Sequence, residues 1–508
     1  MKKHAHHLDR LTALTLAVVL FVGCCLFFDA SHPIGDDFAA YILEGKAIAE
    51  GTLEKQTQVN RFLHFGVRYD PEVPEASELV YVWGYPLLLS IVYRLVGYDL
   101  DQPQLIYYYK IPSFLCFALF TAVLFLFYRK RFPYAVSLLL TVCMSFSLFP
   151  EAGLIQTDIP FLFLTFLSFW LYEVFRDTGR PRKKAKLAVL LGAAMWYTVE
   201  TRLNGFTVLA IIALQQVLWL WKHRPKKKEI PLHLLPWLSM LALVGISACF
   251  LPFATSNSSD VGQGSLLRGL KFYYNLIGGW ILELVPHSLA VVLNYLYVGL
   301  LVLFVIGFLV RGFRSEFGYA LFLAGTILVN AMLPYEQGLR YVFNILPLIL
   351  MFMAWGAFFL YDTARRLFRS PLWKKSVTVA VSVLLVLFSG LKLHSIYSTI
   401  PWLYQEQERK AALAWENIYT DSCLEAFRFV RDNTAPEAVI SFIKPTALYL
   451  NTGRMACSPG TKGLQPEEAD YYMEFAVWHG KHVPEETLAE MTPVFSNEGI
   501  HIYKVNHS

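Results

Sequence analysis

Eleven apolar runs punctuate the chain, at 11–28, 106–128, 133–149, 159–175, 187–200, 203–221, 232–253, 288–310, 317–333, 341–361 and 376–391. A helix needs about 20 apolar residues to cross the hydrocarbon core of a bilayer. Within that core every backbone N–H and C=O must be satisfied by the chain itself, which restricts spanning elements to helices and closed barrels. Runs of this length specify helices, so the expected fold is an all-α polytopic membrane protein with about eleven transmembrane helices. Several runs are short, and the fifth and sixth are separated only by "ETRLNG". Charged residues make up 16% of the 508 positions, whereas a soluble domain carries about 25%. The net charge of +5 is not gathered on a soluble domain, as a nucleic-acid footprint would be.

The basic residues instead mark one side of the membrane. If the N-terminus is cytoplasmic, the inner connections are the first ten residues, 129–131, 176–186, 222–228, 311–314 and 364–375. Together these hold 24 of the 44 Lys and Arg residues, and the outer connection 150–158 holds none. The positive-inside rule therefore favours an inside N-terminus. The run at 11–28 is long for a signal-peptide core, and "FFDASHP" lacks small residues at both cleavage positions, so it reads as an uncleaved span.

Three polar pieces then fall outside. The loop 29–105 contains "YVWGYPLLLSIVYRLVG" at 81–97, which is short, Pro-broken and Arg-containing and reads as interfacial or re-entrant. The second piece is 254–287. The third is the tail 392–508, in which "DSCLEAFRFVRDN" is helix-like and "AVISFI", "TALYLNTG", "YYMEFAVW" and "TPVFSNEGIHIYKV" are strand-like. The expected division is a membrane domain over 1–391 and an extracytoplasmic α/β domain over 392–508. Cys423 and Cys457, both in the tail, would be able to pair in an oxidising compartment. No Cys/His spacing suggests a zinc site.

Charges at membrane depth are rare and usually functional. On the outer side the chain places Asp36 and Asp37, Asp158, Glu200 and Arg202, Arg268 and Lys271, Glu283 and His287, and Glu336 and Arg340. Tyr41 and Glu44 share a helical face with Asp37. Each also has a bland reading. Asp36 suits the cap of a helix starting near Phe38, and Asp158 the cap of the fourth run. Arg202 and Arg340 suit snorkelling to headgroups, and Lys110, Arg268 and Lys271 suit it better still. Capping needs one acid, however, and the chain supplies two side by side. Adjacent carboxylates cannot flank a glycosidic bond as a hydrolase pair does, but one can act as general base on an acceptor hydroxyl. A phosphate leaving group needs no general acid, because arginines can hold its developing charge.

With these residues in view, the sequence resembles the GT-C glycosyltransferases. The resemblance is carried by "GDDFAAYILEGKAIAEG", "WGYPLLLSIVYRLVG", "IQTDIPFLFLTFLSFWLYE", "ETRLNGFTVLA" and "RYVFNILPLIL", in that order over roughly residues 10–365. The similar branch contains the dolichyl-phosphate-mannose protein mannosyltransferases and the bacterial aminoarabinose transferases. The resemblance implies an inverting enzyme that takes a sugar from a polyprenyl-phosphate carrier on the outer face of the membrane. It implies Asp36 as base, Asp37 as its partner, Asp158 as an acid of the second outer loop, and Arg340 with Tyr341 near the carrier phosphate. Arg202, Lys271, Tyr41 and Glu336 join them as candidate substrate-binding residues. The family's frequent Lys or His with two prolines before "PL" is replaced here by Val82-Trp83-Gly84-Tyr85-Pro86. The resemblance therefore does not carry over an aminoarabinose donor or a lipid A acceptor.

The acceptor is left open among lipid, glycan and protein. No cofactor is required by this chemistry; a divalent cation is compatible with two acids, although no ligand spacing demands one. The expected location is a plasma membrane, bacterial by preference since the tail carries no retention signal, with the site and tail extracytoplasmic. Two rivals stand beside this reading. A flippase of lipid-linked sugars would need charges at mid-depth and, typically, inverted repeats, and neither is evident. A non-enzymatic scaffold would make the tail essential and the acid pair dispensable.

Overall fold

The computed structural model describes residues 2–33, 35–65, 82–251, 265–283, 290–333, 338–367, 376, 417–459, 465–476 and 483–506. The helices in chain order are α1 (Lys2–Phe27), α2 (Asp37–Glu50), α3 (Leu53–Phe65), α4 (Gly84–Val96), α5 (Ile106–Arg129), α6 (Tyr134–Ala152), α7 (Asp158–Asp177), α8 (Pro181–Thr201), α9 (Gly205–His223), α10 (Ile230–Ala248), α11 (Leu266–Glu283), α12 (Ala290–Gly307), α13 (Phe317–Ala331) and α14 (Leu346–Leu367). Each of the first ten apolar runs coincides with one of them; the eleventh, 376–391, lies outside the described residues apart from its first position. Among the described residues seven helices are long and apolar enough to cross a membrane. α13, with 15 residues, is too short for that measure, and α8 misses it because it begins with the basic "PRKKAK".

The bundle is cemented by aromatic rings. Phe127 and Phe169 meet Tyr319 edge-on at 5.3 and 5.1 Å between centroids, an arrangement that the ring quadrupole favours. Below them lies a buried ion cluster at one end of the bundle. Arg131 contacts both Glu173 and Glu316, the latter at 3.1 Å, and the Tyr319 hydroxyl donates to Glu173 at 2.7 Å. Lys110, expected to snorkel, is instead buried, with Nζ donating to the Ser31 carbonyl at 2.5 Å. A cation whose protons find a fixed carbonyl has no need of the headgroup layer.

α4 is a short helix that packs between α2 and α8, in keeping with its reading as a segment that does not span. Its first residue must be small. A Cβ at Gly84 would lie 2.6 Å from Thr201 Oγ1 and 2.7 Å from the Glu200 carbonyl. That close approach holds the C-terminal end of α8 in place, and the Tyr197 hydroxyl reinforces it by donating to the Gly84 carbonyl at 2.6 Å.

The C-terminal residues form a five-stranded mixed sheet with strands β1 (Val439–Ser441), β2 (Met455–Cys457), β3 (Tyr471–Phe475), β4 (Thr492–Ser496) and β5 (Ile500–Lys504), in the order β2-β1-β3-β5-β4. β1 runs parallel to β2 and β3, and β5 antiparallel to β3 and β4. α15 (Asp421–Asn433) packs on it, and α16 (Pro445–Thr452) connects β1 to β2. The segment "TALYLNTG" is therefore helical, not strand-like. Pro445 at its start and Gly453 at φ 70° after its end bracket eight residues, the standard asymmetry of helix termini. Cys423 and Cys457 are both buried, and no disulfide joins them among the described residues.

Apart from a small cluster of Tyr472, Val483, Met491 and Val505, the core of this sheet is shared with the membrane domain. Phe38, Ile42 and Leu89 of α2 and α4 belong to one apolar cluster with Phe427, Leu448 and Ile502. Polar ties surround it. The Tyr98 hydroxyl meets the Tyr419 hydroxyl and Asn451 Oδ1, both at 2.9 Å, and Asp101 accepts from Arg428 and Arg431 at 3.0 and 2.9 Å.

Candidate active site

Four separate elements bring ionisable groups together at the end of the bundle opposite the Arg131 cluster. Asp37 opens α2 and Asp158 opens α7. Arg202 follows the last residue of α8 with extended backbone, φ −155° and ψ 139°. Arg340 lies on a 3₁₀ segment, Leu339–Ile345, that leads into α14. The two ends of α7 carry the two clusters, since Asp158 and Glu173 are about 22 Å apart by helical rise.

The contacts form two acid–arginine pairs that share a face. Arg202 Nη1 donates to Asp158 Oδ1. Arg340 Nη2 donates to Asp37 Oδ2 at 2.8 Å, and its Nε lies 3.8 Å from Asp158 Oδ2. The side chains of Asp158 and Arg202 are only 3% and 13% exposed, whereas those of Asp37 and Arg340 are 34% and 32% exposed. The first pair is thus sealed and the second faces outward. The Tyr341 ring lies under both guanidinium groups, 4.9 Å from Arg202 and 5.5 Å from Arg340. Such cation–π contacts fix the planes of the two forks.

Tyr41 is buried one turn into α2, its ring edge-on to Tyr85 at 5.5 Å, and hydrogen-bonds Thr157 at the start of α7. Burial, with Asp37 adding to it, pushes the Tyr41 phenol above its ordinary range. It is therefore a neutral hydroxyl beside the cluster at any moderate pH.

Asp36 behaves differently from its neighbour. Its backbone is in the αR region, φ −95° and ψ −26°, and its side chain does not cap α2. A capping side chain requires the extended backbone that Asp36 lacks. The carboxylate instead accepts from the backbone N–H of Thr446 at 3.3 Å and of Ala447 at 3.0 Å. Burial pushes its carboxyl above the usual carboxylate range, against the lowering effect of these donors and of Lys444.

Among the residues singled out from sequence, then, Asp37, Asp158, Arg202, Arg340, Tyr341 and Tyr41 are brought together. Lys271 is exposed on α11 and has no contact to the cluster among the described residues. Glu336 lies outside the described residues. Two further groups join electrostatically. Glu151, in the last turn of α6, feels the charges of Asp158 and Arg340, and His64, in the last turn of α3, feels those of Asp36 and Asp37. Glu151 was within reach of sequence reasoning, being an acid in the outer connection that also holds Asp158. His64 carried no such signal. Among the described residues no three His, Cys, Asp or Glu side chains are grouped to hold a metal ion.

No family model and no curated protein matches the chain. Solved structures do. ArnT from Cupriavidus metallidurans bound to undecaprenyl phosphate superposes with a TM-score of 0.57 at 13% identity, covering 98% of each chain. The archaeal oligosaccharyltransferase AglB from Archaeoglobus fulgidus, in complex with an inhibitory peptide and a dolichol-phosphate, superposes with a TM-score of 0.52 at 12% identity, covering 92% of this chain and 69% of its own. The chain has the GT-C fold: a helical membrane bundle carrying a small C-terminal sheet.

Proposed function

We propose that the protein is an inverting glycosyltransferase that moves a sugar from a polyprenyl-phosphate carrier to an acceptor hydroxyl at the outer surface of a plasma membrane. The observation that carries this reading is the outward-facing Asp37–Arg340 pair, backed by the sealed Asp158–Arg202 pair. Support also comes from the two similar structures, one bound to undecaprenyl phosphate and the other to a dolichol-phosphate. The basic inner connections support the sidedness.

In this reading Asp37, not Asp36, is the base, because the Asp36 carboxylate is taken up by α16. Asp37 removes the acceptor hydroxyl proton as the acceptor oxygen bonds to the anomeric carbon. The bond from that carbon to the phosphate oxygen breaks on the opposite face, and its electron pair leaves with the carrier phosphate. Arg340 holds the departing charge as a planar, permanently charged donor. Asp158 and Tyr341 keep Arg202 and Arg340 aligned. The acceptor is a lipid, a glycan or a protein, and a divalent cation is compatible with the acids without being required.

A flippase would need charges at mid-depth. In the bundle Lys110, Asp158, Glu173 and Glu316, all buried, lie at helix ends, which favours transfer over passage. The test is binding of undecaprenyl phosphate to the purified full chain, with transfer of an undecaprenyl-phosphate-linked sugar followed in parallel. Arg340→Ala should weaken binding at least tenfold, and Asp37→Asn should slow transfer by about 10²–10⁴. Full activity in the Asp36→Asn/Asp37→Asn double variant would sink the reading.

A further inference from the structure

The acid pair divides its labour between two parts of the molecule. Asp37 points to Arg340 in the bundle, while Asp36 points to the first turn of α16, some 410 residues further along the chain. The Asp36 carboxylate has three donors there: the N–H groups of Thr446 and Ala447, and the Thr446 hydroxyl. The first N–H groups of a helix lack intrahelical partners, and the positive end of the helix dipole favours an anion. Lys444 adds charge of the same sign beside it. The stretch leading to the acid pair is tied to the same domain at a second point. The Ile418 N–H donates to the His32 carbonyl at 3.3 Å, and the His32 N–H to Asn417 Oδ1 at 3.2 Å.

We propose that Asp36 is a positioning residue: its carboxylate clamps the start of α2 onto α16 and thereby sets the aim of Asp37 at Arg340. The C-terminal sheet domain is then a working part of the site. Consecutive Cα atoms are about 3.8 Å apart, so any play at Asp36 is passed to Asp37. A misplacement of about 1 Å is enough to cost a catalytic group much of its effect. Asp36 itself touches none of the groups assigned to the reaction. The inference rests on the reading of Asp37 as the acid that faces the carrier phosphate.

Hydrogen exchange on the full chain without ligand tests the clamp independently of that reading. Asp36→Ala removes all three interactions, and Thr446→Val removes only the hydroxyl. Loss of a cap should speed exchange in the first turns of both α16 and α2 about fivefold in Asp36→Ala, and less in Thr446→Val. Faster exchange confined to α16 overturns the proposal. Undecaprenyl phosphate then reads the aim. Asp37→Asn removes a competitor for Arg340 and tightens binding. Asp36→Ala should shift affinity in the same direction, and should add nothing in the Asp37→Asn background. An additive effect, or a lower Tm with unchanged affinity, marks Asp36 as a fold staple only and also overturns the proposal. If undecaprenyl phosphate binds no variant, the transfer reading fails while the exchange result still decides the clamp.

Discussion

Arg340 Nε and Asp158 Oδ2 face each other across 3.8 Å, and neither forms a hydrogen bond among the described residues. Both atoms are buried. An unsatisfied buried polar atom costs about 1–3 kcal/mol, so a small swing of the guanidinium toward Asp158 would be favourable in itself. What restrains it is the bond from Nη2 to Asp37 at 2.8 Å. On the proposed reading, a carrier phosphate arriving at Arg340 would compete for that bond and free Asp37 to accept a proton.

On that reading the geometry of a fork is needed at this position, and charge alone would not serve. Arg340→Lys keeps the charge but cannot address Asp37 and Asp158 together. Its affinity for undecaprenyl phosphate is expected to fall about tenfold, measured on the purified chain. Unchanged affinity would show that only a point charge is used.

Asp37→Asn should separate binding from chemistry. Its pairing with Arg340 is about one-third exposed, and exposed pairs are worth up to about 1 kcal/mol. Undecaprenyl phosphate should bind up to about fivefold tighter, while transfer falls by about 10²–10⁴. Parallel loss of binding and transfer would argue against competition for Arg340.

Arg202→Ala strips the sealed pair of one partner. An uncompensated charge in a buried site costs about 3–5 kcal/mol. The variant should unfold at a clearly lower temperature in detergent, whereas Arg202→Ala combined with Asp158→Asn should recover part of that loss. Equal Tm values for single and double variants would mean that the pair is not coupled.

His32 predicts an acid-sensitive fold. It is fully buried, its Nε2 accepts from the Ile155 N–H at 3.1 Å, and burial lowers its pKa to about 3. The unfolded imidazole takes up its proton near pH 6.5. Between those values the unfolded chain binds more protons, so the contribution is fully present above pH 6.5. It is lost as pH falls toward 3, by up to about 1.4 kcal/mol per pH unit. His32→Gln, which keeps one donor and one acceptor, should flatten the fall in Tm over that range. Superimposable pH curves would refute the assignment.

Much of this was legible in the chain itself. Ten apolar runs become helices, and the charges at Asp158, Arg202 and Arg340 meet, because desolvation makes an unpaired charge at membrane depth too costly to leave scattered. The division of labour within "GDD" was not legible. Two adjacent acids look alike in sequence, and the partner that claims Asp36 lies beyond the whole bundle on α16. Lys271 misled for the related reason that position near the outer side does not fix where a long side chain goes. "TALYLNTG" misled because its alternation outweighed the Pro and Gly that bracket it.

The apolar cluster that Phe38 and Ile42 share with Phe427 and Ile502 has a practical side. Anyone who treats the final ninety or so residues as an interchangeable cassette, to be excised or grafted from a relative, will cut through an interior and not a seam. A chimera made that way must take α2 and α4 along with its new sheet, or it will expose two greasy surfaces in place of one folded body.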